Sequence, residues 1–181
     1  QPNVTSMAVS CAGRLDGHTL PFTTTNSDAS FNTIIDTGTP YLSFPPQVCA
    51  LLEAAGVATA DCGQATRPEC DLLVRVAGPQ NVGSHSLPFN VGKLLQLKAA
   101  VPPGLKGNPL VLFRDQQFVL GAVGFLFFDL VVLNIAQGTG TVVPRKGGAT
   151  IPADLLPTPP AGLSGMTPAG RLLRNLPSWQ F

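Results

Sequence analysis

Apolar and polar positions along the chain alternate in some stretches and recur at helical spacing in one. Residues 4–22, VTSMAVSCAGRLDGHTLPF, alternate loosely, which predicts two strands, with the dipeptide Asp16-Gly17 as the hairpin turn between them. TTTNSDAS (23–30) is polar throughout and predicts a loop. FNTII (31–35) has the β-branched make-up of a short strand and runs directly into Asp36. PYLSFPP (40–46) predicts extended chain, with Pro45-Pro46 setting the start of a helix. In QVCALLEAAG (47–56) apolar residues recur near helical spacing, and Gly56 stands where a helix would close. CDLLVRVAG (70–78) reads as a strand and HSLPFNVGKLLQL (85–97) as two short extended pieces. VPPGLKGNP (101–109) predicts a loop. The densest apolar region follows, with strands expected at 110–113, 117–120, 127–134 and 140–143, and a turn at Gly138–Gly140 joining the last two. From Arg145 onward the chain is rich in Pro and Gly, with one possible helical turn at 168–174, and reads as a tail over 145–181. The expected class is all-β, with one or two short helices.

Composition sharpens this picture. Hydrophobic residues make up 44% of the 181, enough to bury a core, while charged residues make up 12%, against about 25% in ordinary soluble domains. A net charge of +1 argues against nucleic-acid binding through phosphate neutralisation. No uninterrupted apolar run reaches the ~18 residues of a membrane span, because Gly121, Gly124, Asp129 and Asn134 break the longest one. No amino-terminal signal pattern is present, and Gln1 in place of an initiator Met is what a processed chain would show. Low charge, 18 prolines and 19 glycines suggest a secreted or otherwise extracytoplasmic protein. Asn3, in Asn-Val-Thr, is then a glycosylation candidate. Cys11, Cys49, Cys62 and Cys70 allow two disulfides in three connectivities. One of the three staples the predicted helix to its following loop through Cys49–Cys62 and leaves Cys11 with Cys70. No Cys-x-x-Cys occurs, and no metal or cofactor is expected.

Asp36 is the one acid whose setting points to chemistry. A carboxylate next to an apolar run is costly unless something holds it or uses it. Asp36-Thr37-Gly38 predicts a tight turn that leaves the carboxylate at its apex. Gly38 lets the backbone approach and offers an N–H, while Thr37 and Thr39 offer hydroxyls. Asp-x-Gly is also a common plain turn. A single carboxylate is half of an acid–base device. Two held about 3 Å apart share one proton, so that one can act as base on a water and the other as acid.

The flanking pattern supports that use. IIDTGT (34–39) resembles the active-site loop of pepsin-like aspartic proteases. FVLGAVGFLFFDLVVLN (118–134) resembles the apolar-apolar-Gly segment that passes beneath that loop, together with the strand after it. Asp36 and Gly121 are 85 positions apart, a separation similar to that in the C-terminal lobe of such enzymes. The resemblance implies a pepsin-like C-terminal lobe over residues 1–144. It implies Asp36 as catalytic residue, Thr37, Gly38 and Thr39 as loop and substrate contacts, and Leu120 and Gly121 as supporting residues. Peptides or proteins would be the substrates, and no cofactor would be needed.

Four departures from the family pattern stand out, of which the first two do not touch the chemistry directly. Pro40 stands where the family carries Ser or Thr, and Ala122 replaces a frequent acid. No second Asp-Thr/Ser-Gly occurs, and Tyr41, the only tyrosine, lies in the loop region rather than in a flap. The expected arrangement is therefore a two-chain endopeptidase made from a zymogen, the second Asp coming from an N-terminal lobe on a partner chain. The alternatives are a catalytically inactive pepsin-like binding or inhibitor protein, and a retropepsin-like homodimer in which each copy gives one Asp36. His18 and His85 read as turn or surface residues. GAVG (121–124) is not a phosphate loop, since no Lys follows and no helix is expected to open there. Phe125, Phe127 and Phe128 read as core.

Overall fold

The structure, a computed structural model, describes residues 4–22, 33–77, 85–100, 107–134 and 139–146. The strands in chain order are β1 Val4–Cys11, β2 Arg14–Pro21, β3 Thr33–Ile35, β4 Leu42–Phe44, β5 Asp71–Val76, β6 His85–Asn90, β7 Val111–Phe113, β8 Phe118–Leu120, β9 Phe128–Asn134 and β10 Thr139–Pro144. The helices are α1 Gln47–Ala54 and α2 Val91–Ala99. The protein is thus β-rich with few short helices, as its pattern predicts.

One sheet runs β2-β1-β5-β6, antiparallel throughout. The β1–β2 turn is not at Asp16-Gly17 but at Ala12-Gly13, where Cys11 pairs with Arg14. Both turn residues have positive φ (52° and 74°), the backbone form that matches the twist of the strands they join. Asp16-Gly17 lies inside β2 instead. There Gly17 has φ 86°, the His18 amide donates to Asp16 Oδ1 at 2.9 Å, and the pairing register slips between Ala8 and Ser10. The same dipeptide chemistry makes an irregularity in a strand rather than its end. A disulfide between Cys11 and Cys70 ties the end of β1 to the residue before β5.

The second sheet runs β3-β8-β4-β7 and positions the acid. β3 is parallel to β8, β8 antiparallel to β4, and β4 parallel to β7. β9 and β10 form a separate antiparallel pair. Thr139 and Gly140 already belong to β10 and pair with Asn134 and Leu133, so these two residues are strand where a turn at Gly138–Gly140 was expected; Gly138 lies outside the described residues. Between β8 and β9 the chain forms a 3₁₀ helix, Ala122–Phe127, where none was expected. Gly124 sits there against the Leu120 and Leu42 side chains with no room for a Cβ.

α1 buries Val48, Leu51 and Leu52, and Gly56 follows it at φ 67°. α2 corrects the reading of 85–97 as extended throughout: only 85–90 is strand. Asn90 ends β6 and caps α2 at once. Its side-chain oxygen accepts from the Lys93 amide (3.0 Å) and its Nδ2 donates to the Pro68 carbonyl (2.8 Å). Val91, Leu94, Leu95 and Leu97 then fall on the buried side. An abrupt strand-to-helix switch on one capping residue leaves no loop composition to mark it. Asn90→Ala removes both interactions, and a loss of about 1–2 kcal/mol is expected in denaturant unfolding.

The core is centred on Phe44 and Phe89, whose rings meet edge-on at 5.6 Å. Phe118 lies 5.3 Å from Phe44, and Phe127 and Phe128 lie 5.1 and 5.5 Å from Phe89. β4, β6, β8 and the start of β9 therefore share one aromatic cluster. Phe127 and Phe128 are buried, as expected, and Phe125 is half-buried.

Candidate functional site

The site begins where β3 stops. Ile35 is the last residue of β3 and pairs with Leu120 on β8. The Asp36 amide continues that contact by donating to the Leu120 carbonyl at 3.2 Å. The chain then turns over Thr37 and Gly38, and the Thr39 amide donates back to the Asp36 carbonyl at 3.2 Å.

Two donors hold the Asp36 carboxylate. The Gly38 amide donates to Oδ1 at 2.9 Å, and the Thr39 hydroxyl donates to Oδ2 at 2.6 Å. The two oxygens are thus held separately, from the turn's own backbone and from a side chain three residues on. The Thr39 hydroxyl is the main cause, and the Gly38 amide the second, of a pKa below the usual carboxylate value. Burial opposes this weakly, because the carboxylate is exposed. In this chain alone the group is held ionised, which is the form able to accept a proton.

The segment after β8 supports the loop from below. The Ala122 amide donates to the Thr39 carbonyl at 2.7 Å, and the Val123 amide to the Pro40 carbonyl at 3.1 Å. Gly121 passes so close that a Cβ on it would overlap the carbonyl oxygens of Thr39 and Tyr41. Residues 36–41 and 120–123 therefore form one hydrogen-bonded unit, although some 80 positions separate them in the chain.

Asp36, Thr37, Gly38, Thr39, Leu120 and Gly121 are all brought together here. Thr37 is exposed at the turn, open to a ligand. The sequence did not single out the amides of Ala122 and Val123, which act through main-chain atoms whatever their side chains. The replacement of an acid by Ala122 leaves that hydrogen bond in place. Pro40 lacks a hydroxyl, yet its carbonyl still anchors the loop to Val123.

The four cysteines form Cys11–Cys70 and Cys49–Cys62, so the pairing that staples α1 to the loop after it is the one adopted. Asn3 lies outside the described residues, as do 147–181 of the tail.

Searched against protein-family models, the chain matches none, and a search of curated proteins likewise finds no match.

The donors predict a titration. Thr39→Val removes the stronger holder of Oδ2 and should move the Asp36 pKa up toward the ordinary value, as read by carboxyl NMR. The sign for stability follows from linkage. A folded-state pKa below the unfolded value gives stabilisation that is present above the unfolded pKa and lost as pH falls through the folded one. In Thr39→Val that acid-side loss should shrink. An unchanged Asp36 titration would show that the hydroxyl is not its cause.

Proposed function

We propose that the chain is the C-terminal lobe of a pepsin-like aspartic endopeptidase. It would work as one half of a two-chain molecule whose other half, an N-terminal lobe, brings a second Asp-Thr/Ser-Gly loop. The observation that carries this reading is the Asp36 carboxylate, held at both oxygens on a turn that is itself hydrogen-bonded to the Gly121 segment. A plain surface turn has no need of such support.

In the proposed reaction a second carboxylate faces Asp36. Like charges at that distance cannot both ionise, so the pair holds one proton and titrates as a unit. The ionised member takes a proton from a water as it attacks the peptide carbonyl. The protonated member supplies a proton to the substrate. Thr39 and Gly38 make Asp36 able to serve as the ionised member, and a second Asp-Thr/Ser-Gly loop would offer its acid the same kinds of donor, so the shared proton belongs to the pair. Thr37 and the exposed rim of the turn would contact the substrate backbone. Activity is expected at acid pH, where the shared proton is retained.

The two disulfides fit an oxidising, extracytoplasmic setting. Among the described residues, no helix is long and apolar enough to cross a membrane.

The test is made on the native preparation. Mass spectrometry should find a companion chain carrying Asp-Thr/Ser-Gly, and a pepstatin-like transition-state mimic should bind the pair and block acid proteolysis. A companion chain together with no binding and no inhibition would sink the enzyme reading and leave a catalytically silent binding protein. A self-associated chain that is inhibited would point instead to a homodimer.

A further inference from the structure

Away from the Asp36 loop, α1 and the turn after it place a second set of reactive atoms together. Cys49 and Glu53 lie one helical turn apart on α1, with Cys49 Sγ 3.3 Å from Glu53 Oε1. Cys62 comes from the following turn, its Cα 5.8 Å from that of Cys49. The two sulfurs and a Glu53 carboxylate oxygen all lie within 4.8 Å of one another. In the oxidised chain the sulfurs are bonded together and have no charge to offer. We propose that reduction of Cys49–Cys62 turns this trio into a site for one thiophilic divalent metal ion of the zinc and cadmium class.

The framework around the trio has supports besides the disulfide. Val48 and Leu52 root α1 in the core. The Cys62 amide donates to the Thr59 carbonyl (3.0 Å), and the Gly63 amide to the Ala60 carbonyl (3.2 Å). Lys98, at the end of α2, donates its Nζ to the carbonyls of Asp61 (2.8 Å) and Cys62 (3.0 Å). Lys98 thus ties the Cys62 turn to α2, so the turn keeps a support besides the S–S bond when that bond opens.

The chemistry sets the metal class. Two thiolates favour soft or borderline ions over calcium or magnesium, and three protein donors leave the fourth tetrahedral position to water. Two thiolates and a carboxylate carry −3, which a divalent ion reduces to −1 beside the Lys98 ammonium. Access to this disulfide is through Cys49 alone: Cys49 is half-buried and Glu53 exposed, whereas Cys62, like Cys11 and Cys70, is buried. The redox step is balanced by a dithiol, which gives up two electrons and two protons and closes its own disulfide. Cys49 and Cys62 each gain one electron and one proton, and the incoming metal ion displaces both protons.

Mild dithiol treatment, removal of the reductant and titration with Cd2+ test the proposal. The expected result is two free thiols rather than four, and one equivalent of Cd2+ bound with a thiolate-to-cadmium charge-transfer band. Glu53→Gln, at an exposed position, should weaken Cd2+ binding by at least about tenfold. Cys49→Ser should abolish the two-thiolate band. A reduced, folded chain without the band would overturn the proposal, as would Glu53→Gln binding as tightly as the native chain. So would a reduced chain that unfolds and is not refolded by Cd2+.

Discussion

Gly121→Ala is expected to destabilise the chain by about 3 kcal/mol or more, because the added methyl has nowhere to go. Its nearest neighbours are the carbonyl oxygens of Thr39 and Tyr41, which are backbone atoms, so no side-chain rotation relieves the overlap. Either the 36–41 loop lifts away or β8 shifts, and either move breaks the bonds from Ala122 to Thr39 and from Val123 to Pro40. For a chain of this size the thermal midpoint should fall by about 6–12 °C. Gly140→Ala is the matched control. It sits on exposed β10, where the closest atoms to a new Cβ are 3.4 Å away, and it should change the midpoint little. Equal tolerance of the two substitutions in differential scanning calorimetry would refute the close packing of Gly121 under the loop.

Asp36→Asn should leave the fold in place and, if the proposed two-chain endopeptidase is right, remove its proteolysis. The asparagine is nearly the same shape. Its side-chain oxygen can accept from the Gly38 amide, and its NH2 can donate to the Thr39 hydroxyl, which both gives and takes hydrogen bonds. What it cannot do is accept a proton from water. Loss of a general base costs about 10^2–10^4-fold in rate, so kcat should fall by that much while substrate binding and the circular dichroism spectrum hold. Unchanged turnover would exclude Asp36 as the catalyst. The pair of variants separates two expectations: Gly121 is read in stability, and the role proposed for Asp36 in rate.

Much of the local structure is written in adjacent residues. β3, Thr33–Ile35, ends in an acid-bearing turn because β-branched residues favour extended chain and Asp-Thr-Gly then supplies the bend. The α1 segment declares itself through apolar spacing and Gly56, since both act within a few residues. The two donors of Asp36 lie two and three positions downstream, so its hydrogen-bonded turn was legible as well. Two local readings went astray for local reasons. Asp16-Gly17 and Ala12-Gly13 both permit positive φ, and the pairing of β1 with β2 and β5 chose between them. Asn90 serves strand and helix at once, so α2 began without a break in composition.

The sequence alone determined which residues turn, which alternate and which acid stands in a chemically suggestive place, because those properties depend on neighbours in the chain. Only the tertiary structure decided that β3 lies beside β8, that Leu120, Ala122 and Val123 bind the acid loop through their backbones, and that Cys49 pairs with Cys62. Main-chain hydrogen bonds look the same for every residue type, and closing a loop of some 80 residues is decided by the packing of the whole core around Phe44 and Phe89. The grouping of Cys49, Glu53 and Cys62 belongs to that second class: α1 sets the first two, but only the fold of the following turn brings in the third.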